Sequence, residues 1–192
     1  DDVLGAEFQP QPLKGDFPQE TQLRLARTCA TAFGYDWSRG RLDLAVHPFS
    51  SGRWQDSRIT TRVVETDPFN CLYSTIHEVG HSSYELGIDS DYAFTPLGRG
   101  VSMGVHESQS RIYENQIGRG RAFTGWLYPR MADAFGGLSV PDADLLVQLA
   151  EVLDTSVAVL LGGLAVVAAI LIVIAIVLVV LLAINVIAPA AG

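Results

Sequence analysis

The stretch from Thr66 to Gly87, TDPFNCLYSTIHEVGHSSYELG, decides how this chain folds. Asp67 can accept a hydrogen bond from one of the first free N–H groups of a helix. Pro68 brings the fixed φ and missing N–H that suit the first helical position. Phe69, Leu72, Tyr73, Ile76, Gly80 and Ser83 then recur at helical steps and form one stripe. Gly87 is the natural stop. The spacing predicts a helix over 68–86 that carries His77-Glu78-Val79-Gly80-His81.

That motif has a geometric consequence. Four helical residues turn through about 400°, so His77 and His81 project from nearly the same face one turn apart. This is the bite with which two imidazoles share a Zn²⁺ ion, with Co²⁺ or Mn²⁺ able to stand in for it. Glu78, about 100° further round, stands beside the ion and can take a proton from water that the metal acidifies. A third ligand from a second helix would complete a His₂Glu set and leave one position open. Glu107 is the choice. It lies 30 residues beyond His77, after the turn Leu97-Gly98-Arg99-Gly100, in a helix running through Ile112 and Tyr113 to about Gly118. Glu114, seven residues later, is expected as a structural carboxylate. Glu85, four residues after His81, is expected in contacts outside the coordination set.

Outward from this centre, Gln19 to Phe33 repeats Leu23, Ala26, Ala30 and Phe33 at helical steps, and Gly34 offers a cap. Leu42–Val46 and Ser57–Val64 read as short strands, and a hairpin between them is expected. Residues 1–18, with Pro10, Pro12 and Pro18, read as a linker. Composition excludes several classes of function. The 192 residues carry 13 Lys+Arg against 21 Asp+Glu, which argues against a nucleic-acid partner. Hydrophobic residues make up 48%, too many for a disordered chain. Cys29 and Cys71 sit in no metal or disulfide motif and Asp1-Asp2 opens no export signal, so a reducing, cytoplasmic setting is expected for the catalytic part. All the charges precede Thr155. From 156 to 184 the chain is almost wholly Val, Leu, Ile and Ala, which predicts a transmembrane helix, a lipid-bilayer partner and a single-pass anchor.

Four short stretches stand in order: His47-Pro48-Phe49, Asp56-Ser57-Arg58-Ile59-Thr60, His77-Glu78-Val79-Gly80-His81 and His106-Glu107-Ser108-Gln109. Together, from roughly Gly15 to Pro141, they resemble the signature motifs of the carboxypeptidase Taq family of zinc metallocarboxypeptidases. The resemblance implies an enzyme that removes C-terminal residues from peptide substrates one at a time, with broad specificity and little activity after proline. It implies His77, His81 and Glu107 as zinc ligands, with Glu78 as general base. His47, Pro48, Phe49, Asp56, Arg58, Thr60, His106 and Gln109 would belong to the substrate cleft. It further implies a mostly helical fold with a long groove, and a homodimer.

The expected fold is therefore mainly α. A helical, zincin-like metallopeptidase core over 19–154 has a short β-hairpin or sheet beside the site, and the apolar tail 155–192 adds a C-terminal helix. Members of the family are longer and carry a downstream arginine for the substrate's carboxylate. Arg58, Arg99 and Arg111 are present here, but none at that downstream position. Two other readings stay open: a membrane-tethered zinc-binding remnant without catalysis, and a metallo-endopeptidase or aminopeptidase using the same ligands.

Overall fold

A computed structural model describes residues 13–141. In chain order the elements are α1 (Gln19–Ala32), β1 (Leu42–Leu44), β2 (Ser50–Arg53), β3 (Asp56–Thr61), α2 (Pro68–Gly87), α3 (Met103–Arg111) and α4 (Arg121–Phe135). Between α3 and α4 the backbone widens into a π-helical turn at Ile112–Ile117. The described residues are thus mainly helical, with one small sheet.

The helix predicted over 68–86 forms as α2 with the expected start. The Asp67 side chain accepts from the Phe69 N–H at 3.1 Å and Pro68 takes the first turn. Its burial is wider than a single stripe. Cys71, Thr75, Val79 and Ser82 are buried along with Leu72, Tyr73 and Ile76, because helices and sheet close on α2 from several sides. Leu72, Ile76 and Val79 are fully inaccessible. At about 1.5–3 kcal/mol per large apolar side chain, this helix is the mechanical centre of the fold.

α1 packs on α2 through Leu25, Ala26, Cys29 and Ala30, and α4 adds Leu127 and Met131 to the same core. Phe33 meets Tyr113 and Phe123 with ring centroids at 5.5 and 4.9 Å. Within the segment expected as a linker, Leu13 and Phe17 are buried, and the Phe17 ring stands edge-on to Phe135 at 4.9 Å.

The expected hairpin is corrected by the pairing. β1 runs parallel to β3, with Leu42 opposite Ile59 and Leu44 opposite Thr61. The hairpin partner of β3 is β2, with Ser50 opposite Ile59 and Arg53 opposite Asp56, so the sheet order is β1-β3-β2. β3 is central because it has the apolar and β-branched residues to bury. Ile59 and Thr61 are both inaccessible. β2, Ser-Ser-Gly-Arg, has no such pattern and is held by its ends instead. Trp54 turns the chain at φ 50°, and the Thr60 hydroxyl clasps the Phe49 backbone, accepting from its N–H at 2.8 Å and donating to its C=O at 3.1 Å. Hydroxyls also fasten β3 to α2: Ser57 donates to Ser82 at 2.7 Å and Thr61 to the Cys71 carbonyl at 3.0 Å.

Among the described residues, no helix is long and apolar enough to cross a membrane. The transmembrane helix expected over 156–184 lies outside the described residues.

Candidate metal centre

The His77 and His81 side chains leave α2 side by side, their Nε2 atoms 3.1 Å apart. α3 crosses α2 at Gly80, where the absence of a side chain lets the Ser110 backbone come against the helix. That crossing brings Glu107 over the histidines. Its Oε2 lies 3.3 Å from His81 Nε2 and 3.6 Å from His77 Nε2. α3 itself starts at Ser102, whose hydroxyl accepts from the Val105 N–H at 3.2 Å.

These three atoms form a triangle with edges of 3.1, 3.3 and 3.6 Å. Three donors at about 2.0–2.2 Å from one tetrahedral ion would stand roughly 3.3–3.6 Å apart. The protons agree with the distances. His77 Nδ1 faces Glu114 Oε2 at 2.9 Å; a carboxylate only accepts, so the ring donates there, and in its neutral form Nε2 is left with a bare lone pair. Among the described residues, His77, His81 and Glu107 form a group whose atoms could hold one metal ion.

Glu78 follows His77 on α2 and is buried beside β2, where Ser50 draws its carboxyl partly back toward the charged form. Its Oε2 has no hydrogen-bond partner. Burial, more than any neighbour, pushes the Glu78 carboxyl up to about 7. Burial likewise drives His81 down to about 4, helped by the positive forms of His77 and His106 beside it. For His77 burial also pulls downward, but the Glu114 hydrogen bond and the charges of Glu114, Glu78 and Glu107 outweigh it, and the net shift is up. Glu107 and Glu114 are opposed by burial yet lowered overall, Glu107 by Arg111 first and Glu114 by His77 first.

The other expected site residues fall into two groups. His106 is turned inward: its Nδ1 meets His81 Nδ1 at 2.7 Å and its Nε2 meets Glu85 Oε1 at 2.8 Å. Thr60 holds the backbone of Phe49, so the first two motifs touch each other. His47 and Phe49 are exposed and Pro48 is half-buried on that same connection. Asp56 and Arg58 form an ion pair at 3.0 Å, more than half exposed and worth little to stability. Gln109 is half-buried on α3. Neither the Phe49–Thr60 hydrogen bond nor the Asp56–Arg58 ion pair reaches the three donor atoms.

Arg111 binds both Glu107, at 2.8 Å, and Glu114, at 3.2 Å, and Arg119 reaches Glu114 at 3.3 Å while lying 4.0 Å over the Tyr73 ring. The model of the carboxypeptidase Taq (M32) metallopeptidase family matches residues 2–157. The chain belongs to the carboxypeptidase Taq family.

This carboxypeptidase Taq chain is 41% identical over 158 residues to thermostable carboxypeptidase 1 of Thermus thermophilus, an alignment covering 79% of this chain and 31% of the relative. To carboxypeptidase 1 of Bacillus subtilis it is 44% identical over 119 residues, 62% of this chain and 24% of that one. The crystal structure of the M32 carboxypeptidase from Deinococcus radiodurans R1 superposes with a TM-score of 0.69 and 43% identity, over 75% of this chain and 30% of that one. The chain spans about a third or less of the length of the curated relatives it matches.

Two contacts at the site escape sequence reasoning in this family member. Ser50 meets Glu78 only because the sheet order puts β2 beside α2, which no local pattern announces. Glu114 reaches His77 because the π-helical turn re-aims it; its seven-residue spacing from Glu107 places it on the same face, but the widened backbone is not written in any residue type.

Proposed function

We propose that His77, His81 and Glu107 hold a zinc ion, and that Glu78 is the general base of a metallocarboxypeptidase acting on peptide substrates. The triangle of three donor atoms carries this reading: with both Nε2 atoms bare, a cation held between them and the carboxylate relieves their convergence. A divalent ion there would supply Lewis acidity to a peptide carbonyl and to water. The chain's own residues do the rest. Glu114 orients His77 through Nδ1. The Glu78 carboxyl is buried with its Oε2 left without a partner, free to take a proton and later return it to the departing amine. His47 to Phe49 and Asp56 to Thr60, tied together by Thr60, supply a wall for the peptide, and Gln109 on α3 adds a polar group to the cleft.

The test is a C-terminal ladder followed by mass after peptides are incubated with the full chain and Zn²⁺, Co²⁺ or Mn²⁺. Glu78→Gln should keep the metal and lose about 10²–10⁴ in turnover. A metal-dependent ladder from the unmutated chain supports the reading; its absence overturns it. Peptides blocked at either end separate carboxypeptidase from aminopeptidase and endopeptidase action.

A second reading keeps the metal without the hydrolysis. In its favour, both arginines that reach the site are already engaged, Arg111 with Glu107 and Glu114 and Arg119 with Glu114, instead of being open to a substrate carboxylate. It predicts one metal per chain and no ladder. The homodimer is tested by sedimentation. The cytoplasmic setting and the anchoring of 156–184 are tested by cell fractionation and by flotation of the chain with lipid vesicles.

A further inference from the structure

We infer that His106, backed by Glu85, is a positioning residue that fixes the proton on Nδ1 of His81 and so turns the bare Nε2 of His81 toward Glu107 and His77. The inference rests on the proposed metal site and deepens it.

The proton positions follow from who can donate. His106 Nε2 lies 2.8 Å from Glu85 Oε1. The carboxylate has no proton to give, so His106 donates from Nε2, and a neutral imidazole protonated there has a bare Nδ1. That bare Nδ1 stands 2.7 Å from His81 Nδ1, a distance that needs one proton between the two nitrogens. With His106 neutral, His81 is the ring that supplies it. A neutral His81 with its proton on Nδ1 presents a lone pair at Nε2, the atom 3.1 Å from His77 Nε2 and 3.3 Å from Glu107 Oε2.

The competing tautomer is otherwise attractive. With its proton on Nε2, His81 would donate straight to Glu107 or to His77 Nε2 and block the place where the three donors converge. The relay through His106 removes that option. Its two histidines are thus served unequally: His77 leans on the Glu114 carboxylate directly, whereas His81 reaches the Glu85 carboxylate only through a second imidazole.

The surroundings hold the His106 ring in place. The Tyr84 ring packs against it at a tilt of 52°, with centroids at 4.8 Å. Gly100 closes another side: a Cβ built there would stand 3.2 Å from His106 Cδ2. Tyr84 Oη accepts from the Val101 N–H at 3.3 Å and ties that loop down. Glu85 is itself largely buried, its Oε1 on His106 and its Oε2 unpartnered.

The test uses zinc affinity of the full chain, measured by competition with a chromogenic chelator, and plays no part in hydrolysis. His106→Ala should weaken zinc binding about 10–100-fold with the helical circular dichroism retained. His106→Asn, whose Oδ1 can accept at the place of Nδ1, should restore most of the loss. Equal affinity in His106→Ala, or no recovery in His106→Asn, overturns the relay. Long-range ¹⁵N–¹H NMR on the unmutated, metal-free chain gives an answer that needs no variant. His81 protonated at Nδ1 and His106 at Nε2 support the relay, and His81 protonated at Nε2 overturns it. A chain that fails to hydrolyse peptides defeats the proposed function and leaves these readouts untouched.

Discussion

Gly80 and Ser110 meet backbone to backbone: a Cβ built on Gly80 would lie 2.6 Å from the Ser110 Cα and 3.1 Å from the Gln109 carbonyl oxygen. No side-chain rotation relieves such a clash, since both partners are main chain. Gly80→Ala should therefore push α3 off α2 and carry Glu107 away from the histidines. The expected outcome is a loss of about 1–3 kcal/mol in stability together with at least a tenfold drop in zinc affinity. Chemical denaturation and chelator competition read the two effects. An alanine variant with native affinity would show that the helices slide past one another freely.

Metal should stabilise this chain measurably. Zinc at 100 times its dissociation constant adds about 2.7 kcal/mol to the folded state, because the donors converge only there. The melting temperature should rise on adding zinc and fall back with EDTA. A melting curve indifferent to both would contradict the site.

Glu107→Ala separates ligand from scaffold. Its carboxylate is 43% exposed and its hydrogen-bond partners, Arg111 and Ser110, lie on the same helix, so the metal-free variant should lose about 0.5 kcal/mol or less. Zinc affinity should fall by more than the roughly 10–100-fold expected when only an outer partner is lost. A thermal melt run with and without zinc tests both halves: the variant melts like the unmutated metal-free chain and gains nothing from the ion.

Alkali should unfold the protein before it hydrolyses it. Burial, reinforced by nearby Cys71, pushes the Cys29 thiol from 9.0 up to about 12, and burial likewise raises Tyr35 from 10.0 to about 12. The folded chain keeps these protons where the unfolded chain gives them up. Stability from this source is whole below pH 9 and drains away as the pH climbs toward 12. Denaturant midpoints from pH 8 to 11 should decline steadily, and the Cys29 thiol should resist alkylation at pH 8 until denaturant is added.

Much of this site is legible in local chemistry. Asp67-Pro68 announces the start of α2, the four-residue spacing of His77 and His81 sets their shared face, and the Gly-rich turn before Val105 marks a fresh helix able to carry Glu107. What stays hidden is set at long range. β2 is made of residues that favour no strand and exists because Thr60 grips Phe49 and Trp54 turns the chain. The sequence reading places no element at 121–135, where Pro129 lacks an N–H and masks a helix that is stabilised by Leu127 and Met131 in the core. His106 presents the same difficulty: its pattern groups it with the exposed motif residues, and only the packing of α3 on α2 sends it inward to His81.

The widened turn at Ile112–Ile117, closed by the Gly118 N–H on the Tyr113 carbonyl at 2.8 Å, has a bearing on insertions and deletions. Such a bulge is one residue in excess of a regular coil. Removing that residue would leave Glu107 untouched upstream, yet swing everything after it by about 100° around the axis. Glu114 would then face solvent or core instead of the imidazole it steadies. Natural length variation should therefore be tolerated on either side of this segment and purged within it.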